Sequence, residues 1–212
     1  MVKPYFETKN GKLYCGDNLK IMSEIPPVDL VITDPPYNVG IDYGETHNDK
    51  LNDFISWMKP RFELMREKSK TVLFTTGQIR LPDYAQIEPW KWLLCWHKPA
   101  AMGRSPVGFC NFEPIAMWGK GCNNSVDVIR AMITPDKTID WHPCPKPLEW
   151  AMKLLAIFRH YETVLDPFAG SGTVPLACER WGKKWVGIEI NPEYCKQIKR
   201  RILRETRQLT IT

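Results

Sequence analysis

Thr163-Val164-Leu165-Asp166-Pro167-Phe168-Ala169-Gly170-Ser171-Gly172-Thr173 is a short apolar run that ends in an acid and opens into a glycine-rich turn. Thr163 to Leu165 reads as a strand, Thr173 to Trp181 as a helix, and Lys184 to Ile188 as a second strand ending in Glu189. Together they make a βαβ unit, with an acid about 20 residues beyond the turn. In an open parallel sheet this arrangement brings Asp166 and Glu189 to the carboxyl edge, where ligand groups collect, and an acid in the place of Glu189 suits a ribose diol. The third glycine of the dinucleotide fingerprint is missing, because Val174 and Pro175 stand where it would continue. A pyrophosphate needs that close backbone approach; an adenosine ligand without phosphate does not.

Working outward, the apolar run Val28 to Ile32 leads into Thr33-Asp34-Pro35-Pro36-Tyr37. Neither proline can donate to a sheet ladder and both have φ fixed, so the strand stops in a stiff, polar-tipped turn. Such a turn aims a carboxylate and a carbonyl at one point beside an aromatic ring. That combination suits a flat ring carrying an exocyclic amino group. The nitrogen of adenine or cytosine is a poor nucleophile until it pyramidalises. The Asp34 carboxylate and the Pro35 carbonyl could hold its two hydrogens and stabilise the charge that develops. Tyr37 would stack on a base taken out of its duplex. S-adenosylmethionine is a phosphate-free adenosine ligand for the second acidic turn: Asp166 can accept from its amino group and Glu189 from its ribose.

The remaining segments frame these turns. Leu13 to Cys15 is expected to be a strand ending at Gly16-Asp17, with Asn18 to Glu24 a brief helix, so Asp17 either caps that helix or meets a ligand. Asn38 to Lys50 has no period and reads as a loop, either a lid over the base or a passive surface excursion. Leu51 to Lys68 carries a helical apolar stripe with a kink expected at Pro60. Strands are expected at Thr71 to Thr75, Trp90 to Trp96 and Glu113 to Trp118. Lys98 to Phe112 reads as loop and Gly119 to Asp140 as an irregular insertion. His142-Pro143-Cys144-Pro145-Lys146-Pro147 leads into a helix over Leu148 to Phe158, whose start could bind a carboxylate. Pro192 to Arg204 is a closing helix with a basic face that includes Lys196, Lys199, Arg200, Arg201, Arg204 and Arg207.

At 212 residues the chain suits one domain, and 43% hydrophobic with 25% charged residues is ordinary for a globular protein. A net charge of +5 permits a polyanionic partner without requiring one. No stretch approaches the roughly 20 apolar residues of a membrane span and Met1 to Tyr5 resembles no secretory leader, so no membrane partner and a cytoplasmic location are expected. The seven cysteines contain no C-x-x-C pair, and Cys110, Cys122 and Cys144 with His142 fit no familiar zinc spacing, so no metal is expected.

Taken together, Thr33 to Gly40, His142 to Pro147, Leu165 to Thr173 and Gly187 to Pro192 resemble the amino-methylating DNA methyltransferases, in the permuted group whose catalytic turn precedes the cofactor-binding half. The likeness covers nearly the whole chain. It implies an α/β Rossmann-like fold with a seven-stranded sheet, circularly permuted, in one domain spanning 1–212 with short target-recognition loops at 98–140. It implies a catalytic set of Asp34, Pro35, Pro36 and Tyr37. Cofactor contacts would come from Asp17, His142, Lys146, Asp166, Phe168, Ala169, Gly170, Ser171, Gly172, Thr173, Glu189 and Ile190, with His142 and Lys146 near the carboxylate of S-adenosylmethionine and Asp17 near its adenine. The expected partner is double-stranded DNA, with a homodimer and a separate cognate restriction endonuclease as further possibilities. An aspartate heading the turn favours adenine N6 over cytosine N4. The recognition loops are short for the family; Lys98, Arg104, Asn123, Asn124, Arg130 and Lys137 are candidate DNA contacts by residue type. The competing readings are methylation of RNA or of a protein amide, an inactive nucleotide-binding regulatory subunit, and a dinucleotide oxidoreductase.

Overall fold

The βαβ unit forms with the boundaries its sequence suggests. Strand β10 (Thr163–Asp166) runs through the glycine turn into helix α5 (Thr173–Trp181), and β11 (Lys184–Glu189) returns parallel to β10. The computed structural model describes residues 2–44, 49–99, 101–122, 125–133 and 139–209, the side chains of 207–209 excepted. Ahead of this unit come β1 (Phe6–Glu7), β2 (Gly11–Cys15), α1 (Asn18–Glu24), β3 (Val28–Thr33), α2 (Phe54–Lys68), β4 (Ser69–Thr75), α3 (Leu81–Ile87) and β5 (Trp92–His97). They are followed by β6 (Arg104–Ser105), β7 (Gly108–Phe109), β8 (Phe112–Gly119), β9 (Val128–Arg130) and α4 (Leu148–Ile157); α6 (Pro192–Leu209) closes the chain.

Seven strands in the order β2-β11-β10-β3-β4-β8-β5 make the body of the sheet, as expected, and the short β1 and β9 extend its two edges. β2, β11, β10, β3 and β4 are parallel, and β8 is antiparallel to both β4 and β5. Strand residues alternate between faces, and the alternation divides the core in two. Leu30, Ile32, Leu73, Ile115, Met117 and Val164 face one way, onto α4, α5 and α6. Val31, Val72, Phe74, Ala116, Trp118 and Leu165 face the other, onto α1, α2 and α3. Helix α6 buries Cys195, Ile198 and Ile202 at helical spacing; each isoleucine contributes about 2–3 kcal/mol through its burial.

The position of the site follows from the connections. Helix α5 carries the chain from β10 towards one side of the sheet, and α2 carries it from β3 towards the other, on the opposite face. The gap between β10 and β3 is therefore a topological switch point, open at the carboxyl ends of the parallel strands. Asp166 ends β10 and Asp34 follows β3, so both acidic turns leave this edge side by side.

Some segments depart from expectation. Between the strands expected at Thr71 to Thr75 and Trp90 to Trp96, where no helix was expected, the chain forms a 3-10 turn (Gln78–Arg80) and then α3. The segment 98–112, expected as loop, contains the hairpin β6–β7, and the insertion after it contributes β9, which pairs with β5. Short strands that pair only locally leave little periodic pattern to read. α2 runs unbroken from Phe54 through Pro60 to Lys68. Among the described residues no helix is long and apolar enough to cross a membrane.

Candidate active site

A cavity of about 240 Å³ opens at the switch point. Of the residues singled out from the sequence, Asp17, Asp34, Pro36, His142, Lys146, Asp166, Phe168, Ala169, Gly170, Ser171, Thr173, Glu189 and Ile190 line it. Pro35, Tyr37 and Gly172 are not among its lining residues. Two of these are explained by packing: Pro35 is buried, and Gly172 takes φ 75° where a Cβ would lie 2.8 Å from Ile198.

The glycine turn is held by the acids on either side of it. Asp166 accepts from the Thr33 hydroxyl at 2.8 Å and from the Phe168 N–H at 3.2 Å. Glu189 accepts from the Gly170 N–H at 2.8 Å and the Asn191 N–H at 2.9 Å. Both carboxyls are buried, 4% and 8% exposed, and burial pushes each up to about 7 despite these hydrogen bonds. A cationic or hydroxyl-bearing ligand would relieve that cost. The start of α5 is fixed by Arg201, which donates to the Ser171 carbonyl at 2.8 Å and to the Thr173 hydroxyl at 3.2 Å. Arg201 was expected on the basic outer face of α6 but is buried, because its guanidinium satisfies these groups.

His142 is neutral: burial, then the nearby Lys146 and Arg201, lower it to about 4. Its Nδ1 accepts from the Cys144 N–H, which leaves Nε2 as the donor, beside Gly170. Asp17 caps α1 by accepting from the Leu19 and Lys20 N–H groups, and it also stands on the cavity wall, paired with Arg61 at 3.2 Å. Phe168 packs against Trp57, with ring centroids 5.9 Å apart. Trp150, on α4, is buried on the cavity wall, and its indole N–H has no partner among the described residues.

The acidic proline turn carries a network that sequence did not reveal. Asp34 Oδ1 accepts from the Tyr37 hydroxyl at 2.6 Å and from the Thr75 hydroxyl, while Oδ2 accepts from Lys146 Nζ at 2.5 Å. Lys146, expected beside a cofactor carboxylate, is thus on the Asp34 side of the cavity. Burial disfavours its ammonium, but Asp34 and Glu113 more than offset this and raise its pKa. Tyr37, expected to offer its face to a base, has its hydroxyl between Asp34 and Glu113, with Gly77 against its ring and Lys146 Nζ 5.4 Å from its centroid. A buried phenol needs a partner, and these carboxylates supply it. Glu113 also accepts from Lys98 at 3.0 Å; burial pushes its carboxyl up, but Lys146 and Lys98 hold it below its ordinary range. The available signal was an acid inside an otherwise apolar strand.

The candidate DNA contacts divide. Lys98 belongs to the buried network, Arg104 lies over the Phe109 ring at 4.7 Å on the hairpin, and Arg130 is exposed on β9. Asn123, Asn124 and Lys137 lie outside the described residues, as does the side chain of Arg207.

Comparison with known proteins bears on this arrangement. DNA adenine methyltransferase YhdJ of Escherichia coli (strain K12) is 28% identical over 242 residues, covering 88% of this chain and 81% of its own. The solved structure of the PvuII DNA methyltransferase (cytosine-N4-specific) superposes with a TM-score of 0.74 at 18% identity, covering 93% of this chain and 88% of that one. The M1.HpyAVI–SAM complex superposes with a TM-score of 0.65 at 23% identity, covering 90% and 99%. The model of the N6/N4 DNA methylases matches residues 28–88 and 89–200, taking in both acidic turns. The chain belongs to that family of DNA amino-methyltransferases.

Proposed function

We propose that the cavity binds S-adenosylmethionine and that the enzyme methylates the exocyclic N6 of an adenine extracted from duplex DNA. The observation that carries this reading is the tie between the acidic turns: Asp34 and Asp166 leave adjacent strands into one cavity, and Thr33, the neighbour of Asp34, donates to Asp166 at 2.8 Å. Asp166 suits the amino group of the cofactor's methionine half and Glu189 its ribose hydroxyls. The first turn of α5, the His142 Nε2–H and the Trp150 N–H are donors suited to its carboxylate. The buried, raised carboxyls and the unpartnered indole N–H are what such a ligand would satisfy.

When bound, S-adenosylmethionine supplies an electrophilic methyl carbon. The chain's part is to hold the amino nitrogen in line with that carbon and to stabilise charge on it. Asp34 and the Pro35 carbonyl accept its hydrogens, and Asp34 opposes the positive charge that grows as the lone pair is used. Two residues separate the hairpin β6–β7 from Phe112, where β8 begins beside Glu113, and its exposed Val107, Phe109 and Arg104 suit contact with the opened duplex.

The choice of adenine rests on the aspartate heading the turn and on the YhdJ relative; the PvuII neighbour acts on cytosine N4, for which the same acceptors would serve. Incubating the protein with unmethylated plasmid DNA and S-adenosylmethionine, then analysing the digested nucleosides by mass, decides between them. N6-methyldeoxyadenosine is expected. N4-methyldeoxycytidine would overturn the base assignment, and an unmodified digest the activity.

A further inference from the structure

Glu113 is a buried charge with no part in the chemistry above. It sits on β8 opposite Trp96, with Oε2 taken by Lys98 at 3.0 Å and Oε1 facing the Tyr37 hydroxyl. Lys146 Nζ lies between two carboxylates, 2.5 Å from Asp34 Oδ2 and 3.7 Å from Glu113 Oε1. As it stands, Asp34 Oδ1 has both lone pairs taken by hydroxyls, and the remaining acceptor capacity of Oδ2 is shared with an ammonium that stands on the cavity side, where an arriving amino group must approach. Tyr37 and Thr75, neither of them a lining residue, hold Oδ1; Lys146 lines the cavity and holds Oδ2. Of the groups on Asp34, Tyr37 already reaches Glu113, and Lys146, the one that lines the cavity, has the same carboxylate within about an ångström of hydrogen-bond reach.

We propose that Glu113 is a positioning residue that receives Lys146 from Asp34 as the base enters, unmasking Asp34 Oδ2 for the amino group. This rests on the methyltransferase reading. A buried ammonium that left one carboxylate without reaching another would be stranded at high cost, and Glu113 removes that cost because an ion pair exists at both ends of the movement. Trp96 and Tyr37 flank the path, with ring centroids 5.8 Å and 5.4 Å from Nζ. Tyr37 has a single proton to donate. Once Lys146 is on Glu113 Oε1, that proton serves Asp34, so the acceptor keeps its orientation. The hand-over also moves a positive charge away from the carboxylate that must stabilise the amino nitrogen in the transition state.

The test is single-turnover methyl transfer from tritiated S-adenosylmethionine to unmethylated plasmid DNA, with cofactor affinity from calorimetry as the control for a folded pocket. In Glu113→Gln the ammonium stays on Asp34, and the rate is expected to fall about thirtyfold or more. Cofactor affinity should stay within about twofold, and adding Lys146→Met should restore the rate at least about tenfold, because the blocking group is gone. A purely structural Glu113 predicts no such recovery. A Glu113→Gln rate equal to wild type, or a loss that Lys146→Met deepens, would overturn the hand-over while leaving the methyltransferase reading intact; a wild-type protein that labels no DNA would overturn both. Should Glu113→Gln lose its cofactor affinity, Lys146→Met alone decides. A KM for DNA below wild type supports the hand-over, and one above wild type overturns it.

Discussion

Replacing Asp166 by asparagine should make the cofactor-free protein more stable in mildly alkaline buffer while weakening its hold on S-adenosylmethionine. The Asp166 carboxyl is 4% exposed and is raised from 3.8 to about 7, chiefly by burial. The folded state therefore holds this proton more tightly than the unfolded chain. Its contribution favours the fold below about pH 4 and is lost as pH rises through about 7. At roughly 1.4 kcal/mol per tenfold change in proton affinity, the rise from 3.8 to about 7 sets a ceiling near 4 kcal/mol at about pH 8, of which about half survives relaxation around the charge. Asparagine has no charge to desolvate, and its Oδ1 can still accept from Thr33 and from the Phe168 N–H. For a chain of this size, about 2 kcal/mol corresponds to a melting point about 4–8 °C higher at pH 8, an advantage that shrinks steadily towards pH 5. Calorimetry should at the same time show cofactor binding about 10–100-fold weaker, the loss of one charge-assisted hydrogen bond. An Asp166→Asn protein that melts below wild type by the same margin at both pH values would refute the reasoning: the carboxylate would then be stabilising the empty fold.

Three further predictions concern other parts of the molecule. Asp34→Ala should slow methyl transfer about a hundredfold or more while cofactor affinity stays within about threefold, measured by tritium transfer and calorimetry. Gly172→Ala places a side chain at φ 75° and 2.8 Å from Ile198; it should cost about 2–3 kcal/mol, and an unchanged urea midpoint would contradict it. Asp29 is held below the ordinary carboxylate range: burial raises it, but hydrogen bonds from Lys70, Glu162 and Thr163 outweigh this. Its contribution is present at neutral pH and lost as pH falls below about 4, so Asp29→Asn should lower the melting point near neutrality, with the gap closing in acid.

The sequence carried the βαβ unit almost to the residue, because apolar strands, a glycine turn and terminal acids are local signals. Helix α5 begins and ends where its pattern says, and both acidic turns reach one edge because parallel strands leave them no other. The Asp34–Lys146 pair was not legible: its partners are 112 residues apart, and the same lysine reads equally well as a carboxylate ligand. Glu113 was noticed only as the start of a strand, since nothing local tells which charges will face it across the sheet. The hairpin β6–β7 and β9 escaped because two or three residues are too few to establish a period.

Strands β3 and β10 share a short ladder, yet side chains tie them at both ends. Asp29 accepts from the Glu162 and Thr163 N–H groups at the start of the pair, and Thr33 donates to Asp166 at its finish. The spacing between the halves of the cavity is thereby set by a doubly bolted pair of neighbouring strands rather than by any loop. The pair acts as a mechanical gauge: twisting or fraying at β1 and β9 would be absorbed by the outer strands, leaving the gap across which a methyl group must pass at constant width.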